Sequence, residues 1–144
     1  MAGYADTSLL VSLYVRDPNS GTAASLVRRR AEALPFTPLH ALELRNALRL
    51  CVFRKDIRAA AGRTALRLVE VDLEQGVLVA TPLPWSEALA AAEQLSVSHT
   101  ARLGCWSLDV LHVASAITLG SRELLSFDRR QRRLARRAGL RVVP

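Results

Sequence analysis

The sequence predicts an α/β domain with a short central parallel β-sheet flanked by helices. Three observations support this fold class. Short apolar segments recur along the chain, segments with helical spacing of apolar residues lie between them, and Pro, Gly, Asn or Asp residues separate the two kinds. The chain has 144 residues, of which 50% are hydrophobic, so it can bury one core but is too short for two ordinary domains. We therefore expect a single domain over residues 1–144.

The first half of the chain predicts one strand followed by several helices. A weakly apolar stretch at residues 2–5 ends at Asp6, and apolar residues return at helical spacing from Thr7 onward. A turn-forming run, DPNSG, ends this first helix. The remaining predicted elements of this half are a helix over 22–33, an extended segment over 34–38, a helix over 39–54 and a helix over 57–74.

The second half continues the alternation after an apolar run at 77–80. Its predicted elements are a helix over 85–95, a loop over 96–105, a helix over 107–119, a strand over 123–127, a helix over 129–138 and a strand over 140–143. Ser86 is a candidate N-cap of the first of these helices. Gly120 and Gly139 follow the other two helices and provide stop signals.

The charge balance favours a polyanionic partner. Lys and Arg number 20 against 13 for Asp and Glu, which gives a formal net charge of +7. Two cysteines are too few for a disulfide framework, so we expect a reducing, cytoplasmic compartment. The N-terminus lacks a cationic run before an apolar stretch, and no apolar segment approaches the ~18 residues that a membrane span needs, so we expect neither a signal peptide nor an anchor.

Four of the acidic residues that lie against apolar neighbours need an explanation, because a carboxylate there is costly unless it is paired, hydrogen-bonded or bound to a metal. Asp6 and Asp128 each follow a predicted strand and open a helix, so capping of backbone N–H groups explains each of them singly. Capping does not explain Glu43, which shares a helix face with apolar residues. Asp109 lies in the first turn of its helix, where attraction to the helix dipole is the simpler explanation, yet it shares a face with His112.

Together these acids suggest a metal site. Ligands of open α/β sheets bind beyond the carboxyl ends of the strands, where the prediction places Asp6 and Asp128. Converging carboxylates repel one another unless a cation lies between them, and their hard oxygens suit Mg²⁺ or Mn²⁺. Such a site suits phosphodiester hydrolysis by a metal-activated water.

Four segments together resemble a known family. They are ADTSLLVSLYVRDPNS at 5–20, LELRNALRL at 42–50, HTARLGCWSLDVLHVASAI at 99–117 and LLSFDRRQRRLARRAGLRVV at 124–143. In this order and spacing they resemble PIN-domain ribonucleases, specifically the toxins of VapBC toxin–antitoxin pairs. The resemblance runs nearly end to end and implies a PIN-like domain. The sequence departs from the family's usual pattern at its less hydrophobic first strand and at the bulky Trp106.

The resemblance also implies a function and a site. It implies Mg²⁺-dependent, or Mn²⁺-dependent, endonucleolytic cleavage of RNA, often tRNA or ribosomal RNA. The metal-binding acids of the family match Asp6, Glu43, Asp109 and Asp128. Ser8 and Ser126 match hydroxyl residues with supporting roles. A cognate antitoxin and a homodimer are further implications.

One predicted helix carries an arginine face. At 100° per residue its arginines fall within roughly 160° of one another, opposite Leu134 and Ala138. This face is either a solvated surface or a contact for RNA phosphates or the antitoxin. The candidate contact residues are Arg129, Arg130, Arg133, Arg136 and Arg137, and Arg132 shares their face.

The sequence allows two interpretations for each of His112 and Trp106. His112 is either a structural histidine or a hydrogen-bond donor to Asp109. Trp106 either packs in the core or at its rim, or stacks on a base.

Three hypotheses follow for the function. The first is a Mg²⁺-dependent endoribonuclease toxin. The second is a non-catalytic RNA-binding or regulatory module in which the acids are caps and the arginine helix binds RNA. The third is an RNA-processing nuclease of the same fold without a toxin role.

Overall fold

The computed structural model describes residues 3–144 and confirms an α/β fold with parallel strands. In chain order its elements are β1 (Gly3–Ala5), α1 (Thr7–Tyr14), α2 (Ser20–Arg28), β2 (Leu34–Phe36), α3 (Pro38–Phe53), α4 (Ala59–Glu74), β3 (Leu78–Ala80), α5 (Trp85–Leu95), a π-helical turn (Ser96–Thr100), α6 (Ala101–Leu103), α7 (Ser107–Thr118), β4 (Glu123–Leu125), α8 (Arg129–Arg137) and β5 (Arg141–Val143). The chain forms two compact units. We name them by sequence position: the terminal unit comprises residues 3–6 and 82–144, and the internal unit comprises residues 7–81.

The terminal unit is built on a three-stranded parallel sheet of order β1-β4-β5. Ala5 pairs with Leu125, and Leu125 pairs with Val143, so the carboxyl ends of the three strands lie level. The ladder continues beyond them, since the Asp6 N–H donates to Leu125 O over 2.9 Å. The core of this unit contains completely buried side chains from the sheet, α7 and α8, including Tyr4, Val113, Leu124 and Leu134.

The internal unit pairs β2 with β3 in parallel and packs α1 to α4 around a core of its own. The larger apolar side chains from these helices that are fully buried are Leu9, Leu10, Leu44, Leu48 and Val69. The Tyr14 hydroxyl of α1 donates to Asp72 Oδ2 of α4 over 2.6 Å, and burial with this bond raises the pKa of the Tyr14 phenol well above its ordinary value.

Most predicted elements are confirmed to within a few residues at their ends. The helix predicted over 22–33 covers Ser20–Arg28, and the strand predicted over 123–127 ends at Leu125. Residue 2 of the first predicted strand lies outside the described residues. Both predicted stop signals hold, since Gly120 and Gly139 adopt positive φ angles of 72° and 87° after their helices.

Two local predictions are wrong. The loop predicted over 96–105 is helical as far as Leu103, because no Gly or Pro interrupts it before Gly104, whose φ of 68° ends the helix. Ser86 is not an N-cap, because α5 begins one residue earlier, after Pro84, and no side chain caps it.

Within residues 3–144, no helix is both long and apolar enough to cross a membrane.

Candidate metal centre

The first part of the site lies where β1 and β4 end. Asp6 follows β1 and Ser126 follows β4, and the parallel register of these strands brings the two residues side by side. The Ser126 hydroxyl donates to Asp6 Oδ2 over 2.7 Å, and both residues are completely buried. A buried carboxylate requires such donors, so the sheet edge holds the Asp6 side chain in one orientation.

Asp128 joins this pair through the backbone. Its N–H donates to Ser126 Oγ over 3.0 Å. Its Oδ1 accepts the backbone N–H groups of Arg130 and Gln131, each over 2.9 Å, so Asp128 is the N-cap of α8. The cap uses Oδ1 only, and therefore does not require Oδ2.

Asp109 reaches the same cluster from α7. Its Oδ2 accepts the backbone N–H of Trp106 over 3.1 Å, which caps the helix start. Its Oδ1 accepts from Gln131 Nε2 over 3.1 Å, and Gln131 is itself bonded to Asp128. These bonds form one hydrogen-bonded chain, which we call the carboxylate cluster. It consists of Asp6, Ser126, Asp128, Gln131 and Asp109.

Sequence reasoning missed Gln131. This residue is 6% exposed and lies in the middle of the buried stripe of α8, between Leu134 and Ala135 in helical projection. A polar side chain in an apolar stripe is the signal that could have identified it. Gln131 Oε1 is a buried acceptor that has no hydrogen-bond partner within residues 3–144.

The charges of the carboxylate cluster act on the thiol of Cys105. Burial, followed by the negative charges of Asp109 and Asp128, raises the pKa of its thiol, and the positive charge of Arg130 opposes this effect. The surroundings of Cys105 are therefore apolar and net negative.

Two predicted site residues belong to the internal unit. Glu43 lies half-buried on α3, between the exposed Leu42 and the fully buried Leu44. Ser8 is exposed in the first turn of α1. The structure thus joins three of the four predicted acids into one cluster in the terminal unit, and the participation of Glu43 and Ser8 stays a prediction.

The donor types in the cluster suit a hard divalent cation, since carboxylate and amide oxygens are the ligands that Mg²⁺ and Mn²⁺ prefer. Within residues 3–144, no three Asp, Glu, His or Cys side chains lie close enough to surround one ion. Hydrogen bonds from Ser126 to Asp6 and from Gln131 to Asp109 connect the carboxylates instead.

The arginine face of α8 borders the cluster. Arg129, Arg130, Arg133, Arg136 and Arg137 are exposed. Arg132 differs from them: it is half-buried and donates to Ser126 O over 2.7 Å and to Pro144 O over 2.5 Å. Its expected place among the exposed arginines is therefore wrong, because its guanidinium fastens the loop that carries Ser126.

The structure distinguishes between the alternatives for His112 and those for Trp106. His112 is completely buried, and its Nδ1 lies 2.8 Å from the Tyr4 hydroxyl, which is the structural alternative. Trp106 is 68% exposed, so core packing is wrong for its side chain. The guanidinium carbon of Arg130 lies 5.9 Å from the centroid of the Trp106 ring, a cation–π distance.

Comparisons with known proteins agree with this architecture. The PIN domain family model matches residues 4–137. The fold is similar to that of the toxin VapC20 from Mycobacterium tuberculosis, described as sarcin–ricin loop cleaving, with a TM-score of 0.70, 19% identity, and coverage of 99% of this chain and 100% of that chain.

Two further solved structures have chains of similar fold. VapBC2 from Rickettsia felis, bound to a DNA fragment from their promoter, gives a TM-score of 0.67, 14% identity, and coverage of 99% of this chain and 98% of that chain. FitAcB from Neisseria gonorrhoeae gives a TM-score of 0.66, 17% identity, and coverage of 99% and 96%. No curated protein sequence matches the chain.

Proposed function

Since the chain belongs to the PIN domain family, as its four sequence segments predicted, we propose that it is a metal-dependent endoribonuclease and the toxin of a toxin–antitoxin pair. The observation that carries the proposal is the carboxylate cluster at the carboxyl ends of β1 and β4. Capping of α8 accounts for one oxygen of Asp128. The parallel strands also bring the completely buried Asp6 into the hydrogen-bonded chain that contains Asp128 and Asp109.

The proposed cofactor is Mg²⁺, with Mn²⁺ as a substitute. When bound, such an ion lowers the pKa of water and stabilises negative charge on the scissile phosphate. Gln131 Oε1 supports a polar ligand here, because a buried acceptor without a partner is costly and a water or hydrated ion would satisfy it. Asp6, Asp109 and Asp128 would hold the ion, and Glu43 would add a fourth carboxylate.

The residues of this chain would divide the remaining work. Ser126 holds the Asp6 carboxylate in place, and Gln131 holds that of Asp109. Asp128 would offer the ion Oδ2, the oxygen that its cap does not need. The exposed arginines of α8 would bind RNA phosphates on either side of the cut without reading sequence.

The proposed partners are RNA, a cognate antitoxin and a second copy of the chain. VapC20 is described as a sarcin–ricin loop cleaving toxin, which supports RNA as the substrate of this chain. VapBC2 is described as bound to a DNA fragment from their promoter, and this toxin–antitoxin pair supports an antitoxin as a partner. Both cysteines are free thiols, which supports a reducing cytoplasm.

The test is cleavage of total cellular RNA by the purified, antitoxin-free protein. Reactions contain Mg²⁺, Mn²⁺ or EDTA, and Asp6→Asn and Asp109→Asn proteins run beside the wild type after circular dichroism has shown each to be folded. We expect discrete fragments that disappear with EDTA and with either substitution. Full activity of Asp6→Asn would overturn the assignment.

The exposed arginine face of α8 favours a second candidate, a non-catalytic RNA-binding module. Intact RNA in the same assay, together with RNA binding that weakens steeply with salt, would move the conclusion to this alternative.

A further inference from the structure

Trp106 leaves a large aromatic surface in water. Its side chain is 68% exposed although Trp is among the residues that gain most from burial. The residue lies between Cys105, which is buried, and Ser107, where α7 begins. Because tryptophan is enriched at interfaces, an exposed indole next to the carboxylate cluster is a candidate contact for a ligand with an aromatic or apolar face.

The position of Trp106 is fixed from two sides. Its backbone N–H donates to Asp109 Oδ2 over 3.1 Å, and the Arg130 guanidinium carbon lies 5.9 Å from its ring centroid. The backbone N–H of Arg130 in turn donates to Asp128 Oδ1 over 2.9 Å. The indole and the guanidinium are therefore each carried by a residue that bonds directly to a carboxylate of the cluster.

We propose that Trp106 and Arg130 form a stacking platform for one unpaired nucleobase beside the scissile phosphate. Indole faces stack on any exposed base, and the guanidinium adds stacking and a charge for the neighbouring phosphate. A base inside an A-form duplex is stacked on its neighbours and is not available to the platform. The platform therefore makes the enzyme selective for single-stranded loops, bulges or ends. This inference rests on the proposed RNA substrate.

A nucleic acid fits these surroundings better than an acidic peptide does. A peptide carboxylate would pair with the arginines of α8 but offers no large flat face for the indole. A nucleotide supplies both, since its base matches Trp106 and its phosphates match the exposed arginines that continue along α8 from Arg130.

The experiment uses tryptophan fluorescence, because the chain has only one other tryptophan, Trp85. In a Trp85→Phe protein all tryptophan emission comes from Trp106. Twelve-nucleotide strands of U, of A, an abasic strand and an A·U duplex are titrated in EDTA, which keeps the strands intact. We expect quenching by the two single strands, and little by the abasic strand or the duplex at equal phosphate concentration.

Binding by substituted proteins measures the contribution of the ring. Trp106→Ala should weaken binding of the single strands by about 5-fold to 150-fold, the range that corresponds to stacking of one base. Trp106→Phe should restore part of the loss, and Leu108→Ala, which removes another half-exposed apolar side chain two residues away, should bind as the wild type does. The slope of log Kd against log salt should not change, because no phosphate contact is removed.

The outcomes separate this inference from the proposed function. Unchanged affinity of Trp106→Ala, or equal quenching by the abasic strand, overturns the platform even if metal-dependent cleavage occurs. Base-dependent quenching by a protein that cleaves no RNA overturns the nuclease and keeps the platform. Quenching by an acidic peptide but not by RNA would assign Trp106 to a protein partner and overturn the inference.

Discussion

Asp128 offers the sharpest test, because it both caps α8 and carries a proposed metal ligand. Replacement by Asn keeps an oxygen that can cap the helix and removes the carboxylate. Replacement by Ala removes both the capping oxygen and the carboxylate. The two variants therefore separate the contribution of Asp128 to stability from its contribution to cleavage.

The expected stability losses follow from the two capped N–H groups. The N–H of Arg130 belongs to an exposed residue, so water can replace its partner, whereas that of Gln131 belongs to a residue only 6% exposed. Loss of the cap should thus cost about 1 kcal/mol. Loss of the negative charge at the start of an arginine-rich helix should cost roughly 0.5 kcal/mol more. The Ala variant has both losses, whereas the Asn variant has only the loss of charge.

In a chain of this size, 1 kcal/mol corresponds to about 4 °C in Tm. We expect Tm to fall by about 2 °C in Asp128→Asn and by about 6 °C in Asp128→Ala, as measured by thermal unfolding followed by circular dichroism. RNA cleavage with Mg²⁺ at 20 °C should be lost in both. Glu87→Gln is the matched control, since it removes a first-turn acid of α5 that lies outside the carboxylate cluster, and it should cleave normally.

Two results would refute this reasoning. Wild-type cleavage by Asp128→Asn would show that the cap is the whole role of this residue. Equal Tm values for the Asn and Ala proteins would show that its hydrogen bonds to the α8 backbone do not contribute to stability.

Three further predictions follow from the buried contacts. Tyr14→Phe should lower the free energy of unfolding in urea by about 1.5 kcal/mol, because it leaves Asp72 without its donor. Because the folded-state pKa of Tyr14 is raised, this difference should be the same at pH 7 and pH 9 and shrink only above the ordinary tyrosine value of about 10; shrinkage below pH 9 would contradict the argument. Ser126→Ala should cost roughly 1–3 kcal/mol and reduce cleavage, since it removes a donor from the buried Asp6; unchanged urea midpoint and rate would count against that contact. In a Cys51→Ser protein, the pH dependence of alkylation of Cys105 should give a higher apparent pKa in the folded than in the urea-unfolded protein. Equal pH profiles in the two states would argue against burial of Cys105 beside carboxylates.

Local signals in the sequence were sufficient for most of the fold. Strands and helices were identified because hydrophobic periodicity and turn residues act over a few positions. Gly120 and Gly139 could be identified as stops because few other residues adopt a positive φ at low cost. Asp128 could be identified as a cap for a similar local reason, since its side chain bonds to backbone two and three residues ahead.

Local signals did not predict the helical segment over 96–103. Its residues are mostly polar and show no apolar stripe, so periodicity favoured a loop. The backbone continues from α5 through a π-helical turn, and only Gly104 ends it. Absence of an apolar stripe is thus a weaker signal than absence of a helix-breaking residue.

The sequence by itself determined the types of the proposed site residues, because carboxylates in apolar settings are visible without a structure. The contacts among these residues were decided only by tertiary structure. Asp6 and Ser126 are 120 residues apart in the chain, and the parallel register of β1 and β4 is what places them within a hydrogen bond. Gln131 acquires its role only when α8 packs against α7, where its amide meets Asp109. Such long-range contacts depend on how whole elements pair and pack, which no local pattern encodes.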